Sequence, residues 1–208
     1  MNEFSARLAS RDPAPGGGSV AALSGLLGAS LLAMTINLSH GEINTEHQPL
    51  LIKAQTRLGR LRSRLEELVD LDAAAFAAVV AAHRLPQGSA AERSARRDAI
   101  HAAAGPAAEV PLTTARACLE VLEIGQTLLG RINAEAAGDL LVGALTSHAG
   151  LLSALLNVAV NLPLLEDADR IDILQGQLTL LRSAGDSLIA CIQASIGGER
   201  PFDALCRA

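Results

Sequence analysis

Pro15-Gly16-Gly17-Gly18-Ser19-Val20-Ala21-Ala22-Leu23 opens an uncharged run that continues to Leu38. A proline and three glycines deliver the backbone into a serine, and beyond it the chain is largely Ala, Gly, Ser and Leu. Ser19 has the chemistry of an N-cap, because its oxygen can accept from the free N–H groups of a first helical turn. The glycines before it permit backbone angles closed to other residues and let another molecule lie against the main chain. Free donors and partial positive charge at a helix N-terminus suit an anion or the polar edge of a ligand. The same residues read equally well as a tight entry into a buried helix.

The helix expected from Ser19 to Leu38 has a small-residue face, with Gly25 and Gly28 beside Ala21, Ala22 and Ala29. Such a face admits a second helix backbone or a flat ligand at close range. His40-Gly41 ends it, Gly41 serving as C-terminal cap. Ahead of it, residues 2 to 10 read as a short amphipathic helix with Phe4 and Leu8 four apart.

Composition points to the same class. Half of the 208 residues are hydrophobic, yet there is no Trp or Tyr and only three Phe, so the core is aliphatic and favours helices. The formal charge of −5 and the lack of a basic stripe interleaved with aromatics argue against nucleic acid. Cys118, Cys191 and Cys206 are odd in number and widely spaced, which suggests neither a disulfide framework nor a zinc site and fits a reducing cytoplasm. Residues 13 to 39 and 140 to 165 carry no charge and are long enough to span a membrane. Their Ser, Thr and Asn side chains fit helices buried in protein instead, so no membrane partner is expected. The first dozen residues do not read as a signal peptide.

Further along, a helix is expected from Pro49 to Ala82, basic and amphipathic at first, then almost wholly Ala and Val after Asp70, Asp72 and Phe76. Leu85-Pro86 follows its end. Ser89-Ala90-Ala91-Glu92 reads as a capping box opening the next helix. Gly105 and Pro106 are expected to interrupt that helix, and Pro111 to kink it or start another running to Leu129. A helix from Ala134 to Leu162 and a last one over 166 to 196 complete the set, with residues 197 to 208 as a loose tail. No alternating strand pattern or hairpin signal is present. The expected fold is all-α: one domain over 1–208, a bundle of five to seven helices, two of them long and largely buried.

Asp139, Gly143, Thr146, Gly150, Ser153, Asn157 and Asn161 follow at helical spacing and form one face of the helix from Ala134. This is either a helix–helix seam or one wall of a groove for a flat, polar ligand. Asp72 stands in the Ala-rich half of its helix, where a carboxylate needs a partner or a task. His40 and His83 lie at helix ends and are the histidines best placed for proton transfer. No His pair has metal-motif spacing, so no metal is expected. The glycine loop lacks a following Gly-Lys-Ser/Thr and no strand precedes it, which excludes a phosphate loop and a dinucleotide fingerprint.

The order Phe4, Pro15 to Leu23, Asp70-x-Asp72-x-x-x-Phe76, Leu85-Pro86, Glu109-Val110-Pro111-Leu112, Asp139, then Leu156-Asn157-Val158-x-x-Asn161-Leu162 resembles the cyclodeaminase/cyclohydrolase family, over about residues 4 to 165. The resemblance implies a dimeric all-α domain that binds tetrahydrofolates in a groove. It implies either closure of 5-formiminotetrahydrofolate to the methenyl form with loss of ammonia, or hydrolysis of the methenyl form to 10-formyltetrahydrofolate. Both pass through a tetrahedral adduct at a cationic carbon, where a carboxylate can stabilise charge and move a proton, with no cofactor beyond the folate substrate. On this reading Asp139 does acid/base or electrostatic work, and Asp72 and Asn157 orient water or pterin. Gly17, Gly18 and Ser19 supply backbone and hydroxyl contacts, and His40 and Glu42 are the further substrate-binding candidates. The chain departs from the family pattern at Glu42, where a lysine is expected, and at Glu135, Gly138 and Leu141. A catalytically weak folate- or small-ligand-binding relative, or a helical dimeric interaction protein, are the alternative readings.

Overall fold

The computed structural model describes residues 2–39 and 46–197; His40, Gly41, Glu42, Cys206 and the expected tail lie outside them. The described residues form six α-helices and no strand: α1 (Asn2–Leu8), α2 (Gly17–Leu38), α3 (Gln48–His83), α4 (Ala90–Leu128), α5 (Ala137–Asn161) and α6 (Ala168–Gly197), with short 3-10 turns on either side of α5. The expected all-α bundle is therefore observed.

Helices α3, α2, α5 and α6 lie side by side in that order, and α4 packs across the back of all four. The α2/α5 contact is the most extensive and explains their glycines. A Cβ on Gly28 would overlap the Ser147 hydroxyl and come within 2.6 Å of the Gly143 carbonyl oxygen, and one on Gly150 would stand 2.8 Å from the Ala21 carbonyl. Gly17 meets Asn157 while Gly28 meets Gly143, so the two helices run antiparallel. Behind this seam the core is aliphatic, with Leu32, Ile36, Leu58, Leu65, Leu122 and Leu151 fully buried. Removing such side chains typically costs about 2–5 kcal/mol. α1 makes no substantial contact with the layers.

Two local expectations are corrected. Ser19 is not the N-cap of α2: the helix begins at Gly17, the cap position is Gly16, and no side chain of its own caps it. A carboxylate from α3 takes that task, as shown below. The break expected at Gly105-Pro106 and Pro111 does not occur, since both prolines lie inside the continuous α4. Each proline removes one N–H from the helix ladder and orphans the carbonyl four residues back. For Pro106 that carbonyl belongs to exposed Ala102, where water can serve it. For Pro111 it belongs to buried Ala107, whose oxygen accepts from the Asn161 side-chain amide at 2.8 Å. The capping box is present as expected: Ser89 Oγ accepts from the Glu92 N–H at 3.2 Å and Glu92 accepts from the Ser89 N–H at 2.7 Å.

Candidate active site

At the N-terminal end of α2 a cleft of about 180 Å³ opens between the Gly16–Gly18 backbone, α3 at Asp72 and Phe76, and the last turn of α5 at Asn157 and Asn161. Three elements converge there because each is small or polar at that point. The glycine turn leaves no side chain to fill the space, and a Cβ on Gly18 would overlap the Asp72 carboxylate. Asp72 thus lies directly against the first turn of α2.

The carboxylate caps that turn. Asp72 accepts from both the N–H and the hydroxyl of Ser19, the hydroxyl oxygen standing 2.9 Å from Oδ2. Ser19 Oγ is also 3.0 Å from the Val69 carbonyl oxygen, one turn earlier on α3. A hydroxyl carries a single proton, so it can donate to only one of these acceptors at a time. When Asp72 is ionised, Ser19 donates to it. When Asp72 is protonated, Ser19 can turn to Val69 and accept from the acid. Both protonation states of Asp72 are therefore satisfied without moving the backbone. Burial raises the Asp72 carboxyl above its ordinary value of 3.8, against the opposing pull of the two Ser19 bonds. Desolvation disfavours the charged form, which poises this acid for proton exchange nearer neutrality.

Asn157 and Asn161 form the opposite wall. Asn157 Nδ2 donates to the Ser153 carbonyl at 2.8 Å, and its Oδ1 has no partner among the described residues. Asn161 Nδ2 donates to Ala107 and also to the Asn157 carbonyl at 3.0 Å, tying α5 to α4 at the floor of the cleft. Phe76 and Val160 provide the apolar lining.

The residues singled out from sequence separate in space. Gly17, Gly18, Asp72 and Asn157 meet in the cleft. Ser19 is adjacent but 0% exposed, so it stands behind Asp72 rather than facing a ligand. Asp139 is eighteen residues before Asn157 on the same straight helix, which puts it about 27 Å away at 1.5 Å per residue. Its side chain makes no hydrogen bond or ion pair among the described residues. The departures at Glu135, Gly138 and Leu141 cluster at that same far end, and His40 and Glu42 lie outside the described residues. The stripe from Asp139 to Asn161 is a seam along its middle, where Gly143 and Gly150 seat against α2, and a groove wall only at Asn157 and Asn161. Phe76 entered the sequence reading only as part of a motif, and Ala107 and the bracing role of Asn161 were not singled out, although Pro111 inside a helix signals an orphaned carbonyl in need of a donor.

A larger and shallower depression, about 640 Å³, lies between α3 and α4 and is lined by Lys53, Arg57, Arg60, Arg64 and Glu120. It holds no buried reactive group. Among the described residues no three His, Cys, Asp or Glu side chains converge in a set able to hold a metal ion.

The model of the formiminotransferase-cyclodeaminase family matches residues 1–179. The chain belongs to that family. It is 33% identical over 198 residues to a methenyltetrahydrofolate cyclohydrolase from Methylorubrum extorquens, covering 91% of this chain and 93% of that one. It is 34% identical over 166 residues to the formimidoyltransferase-cyclodeaminase of Rattus norvegicus, covering 78% of this chain and 30% of that longer protein. Its fold is that of the formiminotetrahydrofolate cyclodeaminase from Thermotoga maritima, with a TM-score of 0.83, 23% identity, and coverage of 95% and 96% of the two chains.

Proposed function

We propose that this member of the formiminotransferase-cyclodeaminase family interconverts one-carbon forms of tetrahydrofolate, and that it hydrolyses the 5,10-methenyl form to 10-formyltetrahydrofolate. Near full-length coverage of a cyclohydrolase supports that choice. Cyclisation of the 5-formimino form with release of ammonia is the second reading, favoured by the likeness to the bifunctional enzyme of Rattus norvegicus.

The observation that carries the proposal is the half-buried Asp72 carboxylate facing a flat-walled cleft, with Ser19 behind it. In hydrolysis, Asp72 accepts a proton from water as the water oxygen bonds to the cationic methenyl carbon. The adduct's hydroxyl then loses its proton and N5 gains one as the C–N5 bond breaks, leaving the formyl group on N10 and releasing one proton overall. The Asn157 Oδ1 acceptor and the backbone of Gly17 and Gly18 position the pterin edge. Asp72 takes the acid/base role that the family resemblance gave to Asp139, because within one copy Asp139 cannot reach the cleft. A carboxylate can move that proton only from within hydrogen-bond reach of the reacting centre.

We further propose a homodimer acting in the cytoplasm; free Cys118 and Cys191 are compatible with a reducing compartment. Following the near-ultraviolet absorbance of methenyltetrahydrofolate with purified protein tests the activity. Enzyme-dependent loss of the band supports hydrolysis, and its appearance from the formimino substrate supports cyclodeamination. If neither occurs, the catalytic reading is wrong.

A further inference from the structure

Phe76 stands in Asp72-Ala73-Ala74-Ala75-Phe76-Ala77-Ala78, the one large apolar side chain in a run of alanines. The chain has no Trp or Tyr and three Phe in all. Phe4 lies on α1, outside the packed layers, and Phe202 lies outside the described residues. Among the described residues the buried hydrophobic side chains are Ala, Val, Leu, Ile and Cys118, with no aromatic ring. Phe76 is not part of that core: it is 42% exposed and lines the cleft. An aromatic ring has a large apolar area to bury and normally sits in a core or an interface. A ring left open beside a cleft is placed for what enters the cleft.

Asp72 and Phe76 are four residues apart on α3, which puts them on one helix face with Cβ atoms about 5–6 Å apart. Asp72 is the only ionisable group among the residues that line the cleft. The cleft therefore has no cationic side chain to offer an anionic group, and it has a carboxylate to offer a cationic one. That carboxylate is shared, because it already answers the positive N-terminal end of α2 through Ser19. The π face of Phe76 is a second source of negative potential, able to attract a cation within about 6 Å of the ring centroid.

We propose that the Phe76 ring lies against the charged carbon–nitrogen unit of the ligand, and that with Asp72 it makes the cleft selective for a flat cation over a neutral molecule of similar shape. For turnover this rests on the folate reading above. The 5,10-methenyl form carries a positive charge spread over N5, the bridging carbon and N10, and the formyl product does not. That charge is already present in the bound substrate and disappears as water adds to the carbon. Phe76 therefore holds the substrate more tightly than the adduct that follows it, and lets the neutral product go. An interaction that weakens on the way to the transition state lowers KM without raising kcat. This separates Phe76 from Asp72, which takes the proton and acts on kcat.

The test compares wild type, Phe76→Leu and Phe76→Tyr as full chains. Leucine keeps the apolar bulk and removes the ring; tyrosine keeps the ring. Two pairs of probes each set a flat cation against a neutral analogue: methenyltetrahydrofolate against 5-formyltetrahydrofolate, and benzamidinium against benzamide. Phe76→Leu should raise KM for methenyltetrahydrofolate about five- to thirtyfold and leave kcat unchanged or higher. It should change the dissociation constant of the 5-formyl form by less than about twofold, and Phe76→Tyr should stay close to wild type with every probe. In NMR titrations wild type should bind benzamidinium at least about fivefold more tightly than benzamide, and Phe76→Leu should cut that ratio at least about threefold. Equal losses for charged and neutral probes would reduce Phe76 to apolar lining. Unchanged KM, or a fall in kcat alone, would equally overturn the proposal. If wild type neither binds nor turns over methenyltetrahydrofolate, the folate reading fails, and the benzamidinium ratio still decides the cation pocket.

Discussion

The side chain of Asn161 replaces the hydrogen bond that Pro111 removes from the Ala107 carbonyl, 54 residues away in sequence. A buried acceptor left without a donor costs about 1–3 kcal/mol, so Asn161→Leu should lower stability by that order. The cause can be isolated with a double-mutant cycle. Pro111→Ala restores a backbone donor, and in that background the cost of Asn161→Leu should shrink. Equal costs in the two backgrounds, read by chemical denaturation, would show that Asn161 acts by packing alone.

Asp72→Asn keeps the shape of the cleft wall but removes the proton acceptor. General-base groups typically contribute about 10²–10⁴-fold, so kcat should fall at least a hundredfold with a smaller effect on KM. Ser19→Ala should be milder, because Ser19 positions the carboxylate and touches no substrate. Its signature is a displaced pH–rate profile: with the hydroxyl donor gone, the Asp72 carboxyl rises further and the ascending limb moves to higher pH. A profile that scales down without moving would assign Ser19 a structural role only.

The raised Asp72 carboxyl also has a sign for stability. A group that binds its proton more tightly folded than unfolded favours the native state below its ordinary value of 3.8, and that contribution is lost as pH rises through its folded value. Once ionised, wild type bears a desolvated carboxylate that Asp72→Asn lacks. Above the folded value the variant's Tm should equal or exceed wild type's, and the difference should move in wild type's favour as pH falls through that value toward 3.8, then stay level. A variant less stable on the high-pH side of that transition would mean that the Ser19 bonds outweigh burial.

Glycines divide by surroundings. Gly59 lies inside α3, where an added methyl group would meet nothing within 4 Å, and Gly176 on α6 is the same. Alanine at either should raise stability by about 0.5–1 kcal/mol. Gly28→Ala should do the reverse by at least about 2 kcal/mol, because behind the Ser147 hydroxyl its neighbours on α5 are the Gly143 carbonyl and the Ser147 N–H, which cannot give way as a side chain can. Thermal melts of the three single variants rank the sites directly.

The Cys118 thiol is buried, and burial pushes it up to about 12, while Cys191 is exposed. Only a thiolate reacts readily. At pH 8 a maleimide should label Cys191 within minutes and reach Cys118 only after denaturation, as peptide mass mapping would show.

Much of this was legible in the sequence. An aliphatic, alanine-rich chain with caps and prolines at the right intervals gives α2, α3, α5 and α6 nearly to the residue. α4 was not legible as one helix, because what keeps Pro111 inside it is a donor contributed from α5. The candidate site was legible in part. Helical spacing places Asp139 and Asn157 on one face but does not say which turns of that face are covered. Gly143 and Gly150 answer to Gly25 and Gly28 on the other uncharged helix, and that pairing of small residues is the signal for a seam. Asp72 stood out as a carboxylate in an apolar helix, yet its hold on Ser19, 53 residues earlier, is a tertiary fact.

One wall of the cleft is peptide backbone, at Gly16 to Gly18. Heritable change acts on side chains, so that wall is closed to gradual retuning, and Gly18 in particular cannot gain even a methyl without displacing Asp72. Descendants of this sequence that acquire a new substrate must reshape the cleft through Phe76 and Val160. The chemistry is inherited through the main chain, while preference for a ligand is left to the opposite side.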